Sequence, residues 1–171
     1  MRGKSLYAVA TAAVLACTAG HAMAGSSVSN LSVMVDVVTG CSIEYSNSIF
    51  TSFDHGAGIE VAGTAQTQLR CASGTAYAIS YDQGENPDAS SSCLSPQRRA
   101  AEFSGVSYLN YEIYQDAGYS QAVGCDPSNE INGVSAGGYS SHDLYWRIPA
   151  DQPGVTQGGY HSDNVIVTVT F

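Results

Sequence analysis

Asp163-Asn164-Val165-Ile166-Val167-Thr168-Val169-Thr170-Phe171 is the stretch that decides the fold. Val165, Val167, Val169 and Phe171 share one side, and Ile166, Thr168 and Thr170 share the other. That period of two, in β-branched residues, predicts a strand covered on one face. Most chains fray at the end; this one stops on an aromatic in phase with its core pattern. Leu31-Ser32-Val33-Met34-Val35-Asp36-Val37-Val38-Thr39-Gly40-Cys41 carries the same signal, with Leu31, Val33, Val35 and Val37 on one face. The chain therefore opens and closes on apolar strands. A sandwich can pair such strands with each other, or the first can project into another molecule, because only Thr39-Gly40 separates it from Cys41.

Ahead of the first strand stands an export leader. Met1 to Lys4 supply a basic start, Leu6 to Ala16 an apolar core, and Ala22-Met23-Ala24 a small-residue cleavage site, which puts the mature start at Gly25. Val14-Leu15-Ala16-Cys17 is an alternative lipoprotein box that would leave Cys17 lipidated, but the small-residue site after it is better placed. No later run is long and uniformly apolar, so the mature part is expected to be soluble, without stable membrane insertion.

Between the terminal strands the pattern repeats with turns. Strands are expected at Cys41–Tyr45, Ile49–Phe53, Ile59–Arg70, Ala76–Tyr81, Tyr108–Tyr114 and Asp143–Ile148. Asp82-Gln83-Gly84-Glu85-Asn86-Pro87 and Ser135-Ala136-Gly137-Gly138 are turn chemistry. Only Pro96–Ala101 suggests a helical turn. There is no repeat and no linker. The expectation is one all-β domain of the sandwich class.

Charge narrows the function. Fifteen acidic residues against six Lys and Arg give a formal net charge of −9, and Arg2 and Lys4 leave with the leader. The mature part has no lysine, only Arg70, Arg98, Arg99 and Arg147, which opposes binding to nucleic acid or anionic lipid. Schiff-base chemistry and Lys–Asn isopeptide cross-links are also excluded. With Cys17 gone, Cys41, Cys71, Cys93 and Cys125 remain, an even number in an oxidising compartment, with three possible pairings. Cys41–Cys71 and Cys93–Cys125 are favoured, since the first two bound predicted strands and the others lie in turn-rich segments. No Cys-x-x-Cys or Cys/His spacing supports zinc.

Catalytic readings fall away for want of patterns. His142 and Asp143 could meet His161 and Asp163 in space as metal ligands, but isolated pairs without ligand spacing read as solvated loop residues. Asp54-His55 has no Gly-x-Ser-x-Gly partner, and Asp82 and Glu85 lie in a turn without an apolar surround. Tyr108, Tyr111, Tyr114, Tyr119 and Tyr139 could form a binding platform, though strand tyrosines more often pack, and Trp146 is assigned to packing. No enzyme, cofactor or metal is expected.

Four motifs, in order, carry a resemblance. Thr39-Gly40-Cys41, Leu69-Arg70-Cys71-Ala72-Ser73-Gly74-Thr75, Tyr108-Leu109-Asn110-Tyr111-Glu112-Ile113-Tyr114-Gln115-Asp116, and Leu144-Tyr145-Trp146-Arg147-Ile148-Pro149-Ala150-Asp151-Gln152 with the closing Gly159–Phe171 resemble the spore coat protein U domain. That family includes the Csu-type subunits of archaic chaperone–usher pili. Trp146 stands where the family usually has Gly, and Asn164 where it usually has Thr. The likeness runs from about Leu31 to Phe171.

The resemblance implies an incomplete immunoglobulin-like β-sandwich whose open groove is completed by a donor strand from a neighbouring subunit. Residues 1–24 would be the signal, 25–40 the donor extension and 41–171 the pilin domain. Leu31, Val33, Val35 and Val37 would be the plugs; Val165, Val167, Val169 and Phe171 would border the acceptor groove. Implied partners are a periplasmic chaperone, an outer-membrane usher and other subunits in a head-to-tail fibre at the cell surface, serving attachment and biofilm formation. Burying four such side chains contributes roughly 6–12 kcal/mol before ordering costs. The pair Cys93 and Cys125 and the segment Asn86–Gln97 enlarge one loop region beyond a minimal subunit. The length suggests a rod or adaptor subunit rather than a two-domain tip. Alternatives are a closed monomer that binds carbohydrate or surfaces, with its first strand folded home, and a coat or envelope layer protein.

Overall fold

The computed structural model describes residues 32, 34 and 40–171. The predicted leader, Cys17 and the face Leu31, Val33, Val35 and Val37 lie outside the described residues. From Cys41 onward the chain forms nine strands: β1 Cys41–Ser46, β2 Val61–Cys71, β3 Ala76–Tyr81, β4 Arg98–Glu102, β5 Tyr108–Tyr114, β6 Ile131–Val134, β7 Gly138–Ile148, β8 His161–Ser162 and β9 Val167–Thr170. They make a six-stranded sheet in the order β1-β2-β7-β5-β4-β8 and a three-stranded sheet in the order β6-β3-β9. All pairs are antiparallel.

The backbone of the large sheet is the unbroken ladder of β2 and β7, from Val61 opposite Ile148 to Cys71 opposite Gly138. Across it, small inward residues face large ones at Gly63–Trp146 and Ala65–Leu144. Gly63 faces Trp146, and a Cβ at Gly63 would lie 2.6 Å from the indole Cζ2, so the ring fills the space the glycine leaves. Trp146 is buried, as its assignment to packing requires. From the opposite sheet β3 contributes Tyr77, Ile79 and Tyr81, which meet Leu69, Leu144 and Ile148 to form the core. Tyr81 donates its hydroxyl to Thr67 Oγ1 at 3.0 Å, which satisfies a polar pair that would otherwise be costly at this depth.

Two expected elements are corrected. Pro96–Ala101 makes no helical turn; Arg98–Glu102 is strand β4, paired to β5 and β8. The reason is remote: Arg98 is buried, and its guanidinium donates to the carbonyls of Tyr81 (3.0 Å), Asp82 (2.8 Å) and Val123 (3.1 Å), groups that local propensity does not register. Ile49–Phe53 is no strand but part of the connection between β1 and β2. Asn47 ends the pairing there, donating its backbone N–H to Gln66 O and accepting from Gln66 N at its side-chain oxygen. The short strands β6 and β8 have no counterpart among the expected elements. Ala76–Tyr81 and Tyr108–Tyr114 coincide with β3 and β5.

Candidate functional site

The last stretch of the chain keeps its alternation in three dimensions. Val165, Val167 and Val169 point into the sandwich and are half-buried; Ile166, Thr168 and Thr170 are exposed. β9 pairs with β3 along one edge, and among the described residues its other edge is unpaired. Among the described residues β1 is likewise the margin of the large sheet, paired only with β2. The two free margins lie side by side, and the seam between them is a cleft only partly covered by its own side chains.

A carboxylate clasp fixes the start of β9. Asp82 Oδ1 accepts the N–H groups of Gly84 and Ile166, both at 2.9 Å, and Asp82 N donates to Ile166 O at 3.0 Å. Asp163 accepts from the Tyr111 hydroxyl at 2.6 Å and from Glu85 N at 2.8 Å. Behind them lies Arg98, whose pKa burial pulls down while Tyr111, Asp82 and Asp163 oppose that shift. Burial, then the bond to Asp163, pushes the Tyr111 phenol well above its usual value, so it stays protonated and donating. At the other end, the Phe171 ring lies over Gly40, where a Cβ would collide with it. Gly40 has φ 105°, a conformation that favours glycine.

Across the cleft, β1 turns Cys41 and Ile43 inward. A bulge at Glu44 then reverses the phase, so that Tyr45 points outward to the Gln66 side chain and Ser46 pairs with Thr67 at 3.1 Å. Leu69, Ile79 and Tyr81 are fully buried beneath, whereas Cys41, Ile43, Phe53, Val61, Ala65, Val165, Val167 and Val169 pack on the core and stay partly open. Such a site has free main-chain groups on two margins and a half-covered apolar row between them. Chemically, it can accept an extended chain bearing apolar residues at alternate positions.

The structure places Val165, Val167 and Val169 on one half-buried face, while Phe171 ends 64% exposed against Gly40. Leu31, Val33, Val35 and Val37 are outside the described residues. Both favoured disulfides are present: Cys41–Cys71 joins register partners of β1 and β2 at a Cα separation of 4.1 Å, and Cys93–Cys125 spans 4.5 Å. The second ties the long loop after β3 to Val123–Cys125, a segment hydrogen-bonded to both Tyr81 and Ile113.

His142 and His161 are not solvated loop residues, nor do they gather, while His55 is exposed in a turn. His142 lies in β7, with Nε2 3.0 Å from the Tyr77 hydroxyl, and His161 in β8, 3.0 Å from Ser107 Oγ. Asp143 accepts from Gln66 Nε2 instead. The clasp around Arg98 escaped sequence reading; its one signal was a paired Arg98-Arg99 in a mature part without lysine.

The Spore Coat Protein U domain matches residues 27–168. The chain belongs to this family. Among solved structures, this spore coat protein U chain superposes on a chain of the complex between the chaperone CsuC and the tip adhesion subunit CsuE, from the archaic chaperone–usher Csu pili of Acinetobacter baumannii. There the TM-score is 0.52 at 21% identity, over 77% of this chain and 39% of the other. It also superposes on the P pilus rod subunit PapA, with a TM-score of 0.54 at 15% identity, over 77% of this chain and 99% of that one. At these identities the likeness is one of fold: an all-β, immunoglobulin-like sandwich. No curated protein matches the sequence.

Proposed function

We propose that this protein is a structural subunit, rod or adaptor, of a chaperone–usher pilus assembled by strand addition between copies or related subunits. The cleft between β1 and β9 carries the reading: among the described residues two unpaired margins flank a row of half-buried aliphatic side chains packed on the core. Leu31, Val33, Val35 and Val37 of one copy have the alternation that row accepts, and residues 25–40 serve as the donor extension of the domain 41–171. A head-to-tail contact of this kind does not close on itself and so makes a fibre. Before assembly the same margins are an aggregation hazard, which is the physical case for a periplasmic chaperone that covers them and an outer-membrane usher that exchanges it. The product lies at the cell surface, where it supports attachment and biofilm formation.

Deleting residues 25–38 tests the reading. The shortened chain is expected to keep its chaperone complex but to donate to no neighbour. A wild-type chain that stays a stable monomer, and unfolds when the arm is deleted, would instead show the arm lodged in its own cleft.

A further inference from the structure

The sandwich has two distinct poles. At one, Cys71 faces Gly138, and Gly40 and the turn from β6 to β7 lie beside them; at the other, Val61 faces Ile148. β5 runs alongside β7 with Glu112 opposite Arg147, so its beginning at Tyr108 extends past the end of β7 at this second pole. The turn between β4 and β5 therefore projects there. Glu102 pairs with His161, which makes Phe103 and Tyr160 the next positions in register.

That turn is rigid and apolar at once. Gly105 N donates to Glu102 O at 2.8 Å, Glu102 N to Ser107 O at 2.9 Å, and the Tyr108 hydroxyl to Gly105 O at 2.7 Å. Yet Phe103 is fully exposed, Tyr160 is 78% exposed and Val106 56%. Single exposed apolar residues need no explanation, but two on a braced turn with a third at the next register position beside them do. At the first pole stand Val134, 69% exposed, and Tyr139, 64% exposed.

Resting on the strand-addition reading above, chain length names the occupant. Phe171 over Gly40 closes the cleft at the first pole, so a strand lying in it runs out at the second. From Val37 to Gly40 there are three residue steps, which span at most about 11 Å. The body that owns the arm must then present its first pole to the second pole of the body that receives it. We propose that the Phe103, Val106 and Tyr160 tip of one copy docks on the pole of the next that carries Val134 and Tyr139, a body-to-body contact that fixes the angle between successive subunits. Phe103 on the braced turn and Tyr160 at the next register position beside it supply the anchors such a contact needs at little cost in conformational entropy.

Hydroxyl-radical footprinting of the wild-type chain, as chaperone complex and as fibre, tests this. Severalfold protection of Phe103 and Tyr160 in the fibre is expected, with Leu94, 62% exposed on the loop stapled by Cys93, labelled equally in both. Fibres of the F103S/V106S/Y160S chain should still form but show a severalfold broader distribution of inter-subunit angles in electron micrographs. Fibres whose tip stays fully labelled, or whose angles do not change, overturn this contact and leave strand addition standing. No fibre at all overturns both.

Discussion

The β2–β7 ladder and the margin formed by β1 and β9 use the same residue types to opposite ends. Leu69, Leu144 and Ile148 in the ladder are at most 5% exposed, because β3 lies over them. Val165, Val167 and Val169 have the same alternation and the same inward direction, but only half their cover. Burial depends on what lies opposite a strand as well as on the strand. The ladder is therefore where the body holds its own stability, and under the proposed strand addition the margin is where it would draw on another chain.

The largest test of that contrast is in the ladder. Leu69→Ala should cost up to about 5 kcal/mol of unfolding free energy, measured by denaturant titration, since a fully enclosed site cannot collapse around the loss. Opening the bridge that pins β1 with a C41S/C71S double substitution should cost about 3–4 kcal/mol, given its loop of 30 residues. A synthetic peptide of residues 29–39 should stabilise the chain by about 2.7 kcal/mol at a hundredfold excess over Kd, and the same peptide with Val33 and Val35 replaced by Asp should not. Val169→Ala should cost only about 1 kcal/mol in the free body, yet weaken peptide binding as well; equal costs for Val169→Ala and Leu69→Ala would erase the distinction.

The smallest effect is one of pH. Burial holds the His142 imidazole below its ordinary 6.5, with Asp143 partly opposing, and Tyr77 is its hydrogen-bond partner. The unfolded chain binds that proton more readily, so stability is complete above 6.5 and declines as pH falls towards the lower folded value. His142→Gln should flatten this decline in acid unfolding curves, while the β1/β9 margin, which lacks the residue, keeps its peptide affinity.

Period alone located β3 and β5, because three apolar residues at alternate positions between turn signals, Tyr77, Ile79 and Tyr81 or Leu109, Tyr111 and Ile113, leave little competing reading. It failed at β4, where Pro96–Ala101 suggested a helical turn. The strand exists because carbonyls from Tyr81, Asp82 and Val123 converge on the Arg98 guanidinium from two distant places in the chain. Ile49–Phe53 failed the other way, having strand-like residues but no partner once Asn47 ends the ladder.

By itself, then, the sequence determined that the domain is all-β, where β3 and β5 lie and which face of the last strand is apolar, since those follow from local spacing and side-chain chemistry. Only the tertiary structure decided that β1 and β9 end up as facing, uncovered margins, that a buried arginine anchors the entry to β9, and that Phe171 closes one end of the cleft over Gly40. Cover, convergence and closure are relations between segments distant in the chain, and no window of sequence contains both partners.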